Sequence, residues 1–224
     1  MSVIKYKRGS AVQLTASFSL REFDCKGGSC CGCGCTTTLV DTRLVRKLQV
    51  LRRQLGNKPI IINSGYRCPT HNRCQGGASS SYHTKGQAAD IRCAGVSAST
   101  IAKKAQELGF TGIGDYGNRV HVDVRKRKYF YRHNGREVAV STHGGVRKQS
   151  PYTLSTRTLR RGSTGNDVRA AQWILNWAGY TCAVDGVFGK KTEAAVKAFQ
   201  KDMLLEADGV IGKLTLGAMR EVYT

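Results

Sequence analysis

Ser81-Tyr82-His83-Thr84-Lys85-Gly86-Gln87-Ala88-Ala89-Asp90, completed further along by His121-Val122-Asp123, is the stretch around which the chain is organised. A histidine, a carboxylate and a second histidine are the donors of a catalytic zinc, which keeps a fourth position for water. His83 and Asp90 are too far apart for one helical turn, so they meet across a bend, and Gly86 between them permits it. Around the second histidine, Arg119-Val120-His121-Val122-Asp123-Val124 alternates valine with polar residues, the period of a strand. His121 and Asp123 therefore point the same way. One can hold a metal while the other faces its water or buttresses a ligand. The plain alternative is two core histidines and a buried carboxylate satisfied by hydrogen bonds.

Upstream, Pro59-Ile60-Ile61-Ile62-Asn63 reads as a short buried strand that delivers Ser64-Gly65-Tyr66-Arg67 to the site. Before it, Leu44, Leu48, Leu51 and Leu55 fall at helical spacing, predicting a helix over 38–55 capped by Asp41 or Thr38 and stopped by Gly56. Its arginines and lysine lie on the other faces, which are expected to be solvated. Phe18, Leu20 and Phe23 are anchors for an extended lead-in. A second helix is expected over 97–108 with Ser97 or Ser99 as cap, then a hairpin of two strands turning at Asp115-Tyr116-Gly117-Asn118. His121 then sits in a small antiparallel sheet.

The order Ser-x-His-x-x-Gly-x-Ala-x-Asp, with Ser64-Gly65-Tyr66-Arg67 and Gly76-Gly77-Ala78 before it and His121-Val122-Asp123-Val124-Arg125 after it, resembles the zinc D-Ala-D-Ala carboxypeptidase family and its phage endolysin relatives, the L-alanyl-D-glutamate peptidases. That resemblance implies a peptidoglycan hydrolase in which His83, Asp90 and His121 hold zinc and zinc-activated water attacks a peptide bond of the wall stem peptide. It implies that Arg67 binds the scissile carbonyl oxygen or a substrate carboxylate, the alternative being a salt bridge to Asp90. Ser81 is a candidate substrate contact. Many members carry Glu or Asp three residues before the last histidine; here that position is Asn118, which accepts no proton usefully. Asp123 is the expected general base, with Asp115 in reserve.

Residues 185–192 and 208–215 repeat one pattern, Asp-Gly-Val-Phe-Gly-Lys-Lys-Thr and Asp-Gly-Val-Ile-Gly-Lys-Leu-Thr. Each Asp-Gly makes a turn, Phe188 or Ile211 plugs a core, and the threonine can cap the next helix. Three helices are expected, over 167–178, 192–201 and 215–222. With Val196, Phe199 and Gln200, this resembles the peptidoglycan-binding three-helix module joined to many wall hydrolases. The expected architecture is α+β: a small antiparallel-sheet zinc peptidase domain with flanking helices over 1–133, a linker over 134–156, and an all-α peptidoglycan-binding domain over 157–224.

The formal net charge is +21, and residues 1–156 hold 26 Lys and Arg against 8 Asp and Glu, whereas 157–224 hold 10 against 7. The first part wants a polyanion, and anionic wall polymers meet that need as well as nucleic acid does. Tyr129, Phe130 and Tyr131 among basic residues suit a single-stranded nucleic acid or sugars. The metal motif decides for the wall, so peptidoglycan is the expected partner of a monomer, with no nucleic acid and no membrane insertion. The start, Met1 to Arg8, has no apolar segment followed by a cleavage site, which predicts synthesis in the cytoplasm without a signal peptide and action at the wall after release.

Nine cysteines remain, five of them between Cys25 and Cys35 and interleaved with glycine. They can form a structural zinc knot, pair as disulfides, or stay free. Cys68 and Cys74 can form a local disulfide, and His71 between them is expected to face solvent.

Overall fold

The structure is a computed structural model, and it describes residues 3–28, 32–126, 130–133, 136–137 and 149–223. The lead-in is more regular than its sequence suggests. β1 (Val3–Lys7) pairs antiparallel with β4 (Thr37–Asp41), and β2 (Gln13–Thr15) with β3 (Phe18–Ser19). A 3-10 turn, Leu20–Phe23, follows, closed by Glu22 Oε1 accepting the Ser19 N–H at 2.7 Å. Phe18, Leu20 and Phe23 are all buried, as anchors should be.

Residues Thr37–Asp41, partly assigned to a helix by periodicity, are strand because β1 offers them a ladder of partners. α1 (Thr42–Gln54) starts one residue later, with the Asp41 carboxylate accepting the Arg43 N–H at 3.0 Å. Gly56, at φ +72°, closes its far end. Its basic side chains are not a solvated face. Lys47 is buried, its Nζ donating to the Leu108 and Gly109 carbonyls at 3.0 and 3.2 Å. There it satisfies the carboxyl end of α3 (Ala98–Glu107), where a cation is favoured.

One sheet carries the rest of the first domain. β5 (Ile60–Ser64), β6 (Ala88–Cys93), β7 (Gly112–Asp115), β8 (Val120–Asp123), β9 (Phe130–His133) and β10 (Arg136–Glu137) lie in the order β10-β9-β7-β8-β6-β5, with every neighbour antiparallel except β7 and β9. Ile62, Ile91, Val120, Val122 and Ile113 belong to its apolar side, in one core with Leu44, Leu48 and Leu51 of α1 and Ile101 and Ala105 of α3. Burying each such side chain contributes about 1.5–3 kcal/mol. That core leaves the opposite face of the sheet for polar residues.

α4 (Asn166–Trp177), α5 (Lys190–Asp202) and α6 (Lys213–Tyr223) form the tail. The repeat is closed in both copies by a buried glutamine rather than by a threonine cap. Gln172 donates to Asp185, the Val187 carbonyl and Thr192, and accepts the Gly186 N–H; Gln200 does the same with Asp208, Val210, Thr215 and Gly209. Thr192 and Thr215 lie inside α5 and α6, and α5 is capped by Gly189. The tail packs directly on α1: Arg46 pairs with Glu221 at 2.5 Å, Arg53 with Asp202 at 3.2 Å, and Gln54 donates to the Trp177 carbonyl at 2.7 Å. The basic face of α1 is thus an interface. No helix among the described residues is long and apolar enough to cross a membrane.

Candidate metal centre

Antiparallel pairing aligns Ser64, Asp90, His121 and Gly114 across β5, β6, β8 and β7, and beside that row Ala88, Asp123 and Gly112. Laterally paired residues share a face, so Asp90 and His121 meet on the polar side. His83 arrives from the 3-10 turn Tyr82–Lys85, whose end is Gly86 at φ +66°. A Cβ on Gly86 would stand 2.3 Å from the Leu39 carbonyl oxygen. Gly86→Ala is therefore expected to destabilise the protein by about 2–4 kcal/mol and to pull His83 out of place. Urea unfolding and zinc titration measure both, and unchanged zinc affinity would show that the turn does not position the ligand.

His83 Nε2 lies 3.2 Å from His121 Nδ1 and 3.3 Å from Asp90 Oδ1, and His121 Nδ1 lies 3.0 Å from Asp90 Oδ1. Tetrahedral zinc with donors at about 2.0 Å has edges of about 3.3 Å. The lone pairs are also aimed correctly. His83 Nδ1 donates to the Gly65 carbonyl at 2.7 Å, and His121 Nε2 donates to Asp123 Oδ2 at 3.2 Å. Each ring thereby keeps its other nitrogen as an acceptor. With both imidazoles neutral, three acceptors face one point, which suits a cation, and two imidazoles with one carboxylate suit zinc.

The charges agree. In the metal-free protein, burial opposes an imidazolium at His121, but Asp123 and Asp90 outweigh it and raise its pKa to about 9. Burial lowers His83. It would raise Asp90, yet the two imidazoles hold that carboxyl well below its usual range. Below pH 9 zinc must displace the His121 proton, so its affinity should fall roughly tenfold per pH unit on acidification and level off above pH 9. Competition with a chromophoric chelator reads this, and a flat profile would remove His121 from the ligand set. Without metal the sign reverses: the protonated ring contributes stability fully present below ~6.5 and lost as pH rises through about 9.

Several expected roles change. Asp123 is fully buried behind His121, not beside the converging donors. Its Oδ2 takes the His121 Nε2–H, and Arg125 holds both oxygens, with Nε at 2.8 Å from Oδ1. Burial would raise its pKa, but Arg125 and His121 lower it to about 2. A carboxylate so held touches the His121 nitrogen that faces away from the converging donors. Asp115 pairs with Val120, on the other face of the sheet, and its Oδ1 accepts the Gly117 N–H at 2.9 Å in the turn. Arg67 takes the alternative reading: it donates to Asp90 Oδ2, and its Nε to Ser64 Oγ at 2.7 Å. Ser81 caps the 3-10 turn, its Oγ accepting the His83 N–H at 3.3 Å. His71 is buried, with Nδ1 3.3 Å from Cys25 Sγ.

Other contributors were not assigned a role from the sequence. Gly112 has no room for a side chain, since a Cβ there would meet Asp123 Oδ2 at 2.1 Å. Arg125 links Asp123 to Tyr82, its guanidinium 4.4 Å from the ring centre; the two-residue step from His121 through Asp123 was the available signal. The Gly65 carbonyl carries none. Tyr129 is outside the described residues, and the backbone places Phe130 and Tyr131 on β9.

The family Peptidase M15 matches residues 16–125, and a putative peptidoglycan binding domain matches residues 164–219. The zinc D-Ala-D-Ala carboxypeptidase of Streptomyces albus G is 42% identical over 81 residues, 35% of this chain and 32% of that protein. The peptidoglycan L,D-endopeptidase MepK of Escherichia coli K12 is 38% identical over 99 residues, 41% of this chain and 54% of that protein. The spore cortex-lytic enzyme of Halalkalibacterium halodurans is 37% identical over 62 residues, 27% of this chain and 19% of that one. The chain thus spans about a third of the length of the first of these relatives and about half of the second.

Proposed function

From a chain that joins a Peptidase M15 domain to a peptidoglycan-binding domain, we propose a zinc-dependent peptidoglycan hydrolase that cuts a peptide bond of the wall stem peptide. The observation that carries it is the convergence of His83 Nε2, Asp90 Oδ1 and His121 Nδ1 on one point. Zinc there would supply a water of lowered pKa and a Lewis acid for the carbonyl oxygen. The chain's residues do the rest. Gly65 and Asp123 fix the two imidazole tautomers, Arg67 orients Asp90 and places a positive charge beside the donors, and Ser81 sets the turn that bears His83. A cleft of about 460 Å³ between α2 (Pro69–Cys74) and the Gly76-Gly77 loop reaches Thr84, next to His83, and suits a peptide.

The proposed division remains peptidase over 1–133, linker over 134–156 and wall anchor over 157–224. Anchoring raises the local concentration of the peptidase on an insoluble polymer, and the basic first part favours anionic wall polymers. An endolysin-like, bacteriolytic use by a monomer belongs to the same proposal. A second reading, a non-catalytic zinc protein that binds the wall, is favoured by one observation: neither Asp123 nor Asp115 turns a free carboxylate oxygen towards the donors. Mass spectrometry of fragments released from purified peptidoglycan decides. New peptide termini that vanish with a chelator and return with zinc would establish hydrolysis and name the bond; tight wall binding with no termini would establish the second reading.

A further inference from the structure

Cys25, Cys33 and Cys35, from one loop, and Cys68, from a segment well beyond it, bring their sulfurs within 4.8 Å of one another. Cys25 Sγ and Cys33 Sγ are 3.7 Å apart, as are Cys33 Sγ and Cys35 Sγ. Disulfide sulfurs lie about 2.05 Å apart and in pairs, whereas the edges of a tetrahedral zinc–thiolate site, with bonds of about 2.3 Å, are about 3.8 Å. We propose that these four cysteines bind a second, structural zinc ion, separate from the centre formed by His83, Asp90 and His121.

Polar groups of the chain turn toward the sulfurs. The Cys68 N–H points at Cys25 Sγ and the His71 N–H at Cys68 Sγ, both at 3.4 Å, and His71 Nδ1 stands 3.3 Å from Cys25 Sγ. Such donors stabilise sulfur ligands and spread their charge. Gly32 and Gly34, at φ +54° and +55°, flank Cys33 in a left-handed backbone that turns Cys33 and Cys35 to the same point. Four soft donors in a closed shell leave no position for water, so the ion's role is to hold chain together. What it holds is specific: Cys68 follows Arg67, which grips Asp90, and lies three residues after Gly65, whose carbonyl orients His83. Cys74 is exposed and outside the cluster, so Cys68 is not its disulfide partner. Cys30 and Cys31 lie outside the described residues.

Binding requires the four thiols to lose their protons to solvent as zinc enters; no oxidation occurs. The test uses the full chain, purified reduced, loaded with zinc and freed of excess, with bound metal measured by plasma mass spectrometry. His83→Ala is expected to keep one zinc, and the double variant Cys33→Ser/Cys35→Ser, made in that same His83→Ala background, to lose it. Cys74→Ser should match wild type. Cobalt(II) in place of zinc should give a sulfur-to-cobalt charge-transfer band in wild type and His83→Ala. Should the double variant not fold, the folded His83→Ala protein carries the test by its metal and its band. A zinc-free His83→Ala lacking the band, or disulfides among these cysteines in protein never exposed to oxidant, would overturn the proposal. Because the site is read in a variant without the catalytic centre, failure of that centre leaves a distinct result: one zinc, bound by sulfur, in wild type as well.

Discussion

His83→Ala is expected to release no peptide from purified peptidoglycan above background, a loss of ~10³-fold or more, while the protein remains folded and its tail still binds the wall. The ring supplies one of three donors, and the Lewis-acid and water-activating roles of a bound metal amount to several kcal/mol of transition-state stabilisation, each ~1.4 kcal/mol being tenfold in rate. The substitution also removes the donor to the Gly65 carbonyl, an unpaired buried group that costs about 1–3 kcal/mol. Near-ultraviolet circular dichroism and a melting curve must therefore accompany the assay. Asp90→Ala serves as a partner variant that leaves Gly65 satisfied. Full turnover by a folded His83→Ala protein would mean that the reacting centre lies elsewhere.

Asp123→Asn separates the two roles open to that carboxylate. As a positioning residue, it should lower zinc affinity about 10–100-fold and turnover with it, because the amide weakens the hold on the His121 tautomer. It also removes the negative charge that raises the His121 pKa. The pH above which zinc affinity levels off should consequently move down from about 9, a change that mere loosening of the fold would not produce. A general base predicts the opposite split: turnover lost, with zinc affinity and its pH profile intact. Arg125, left without a full counter-charge beside the buried amide, adds a destabilisation that urea unfolding would measure.

The candidate metal centre is legible because its donors sit in short local patterns. The spacing through Gly86 and the valine alternation around His121 named all three candidate ligands, and the Asp-Gly repeat with its apolar plugs named the helical tail. Helix ends were found to within a few residues by Asp41, Ser97 and Gly56. The start of α1 lies later than its periodicity predicts because β1, far away in sequence, converts Thr37–Asp41 into strand.

What the sequence by itself determined, then, is which residues share a face and which turn brings His83 towards Asp90, since these depend on backbone period and on the conformations glycine permits. The tertiary structure decided which atom meets which. A shared face does not distinguish the front of an imidazole from its back, and Asp123 lies behind His121 because Gly112, on a neighbouring strand, leaves room there. Arg67 turns to Asp90, Arg46 and Arg53 of α1 meet the tail, and Cys68 joins Cys25, Cys33 and Cys35 for the same reason: each partner is supplied by a chain segment distant in sequence, so no local pattern records it.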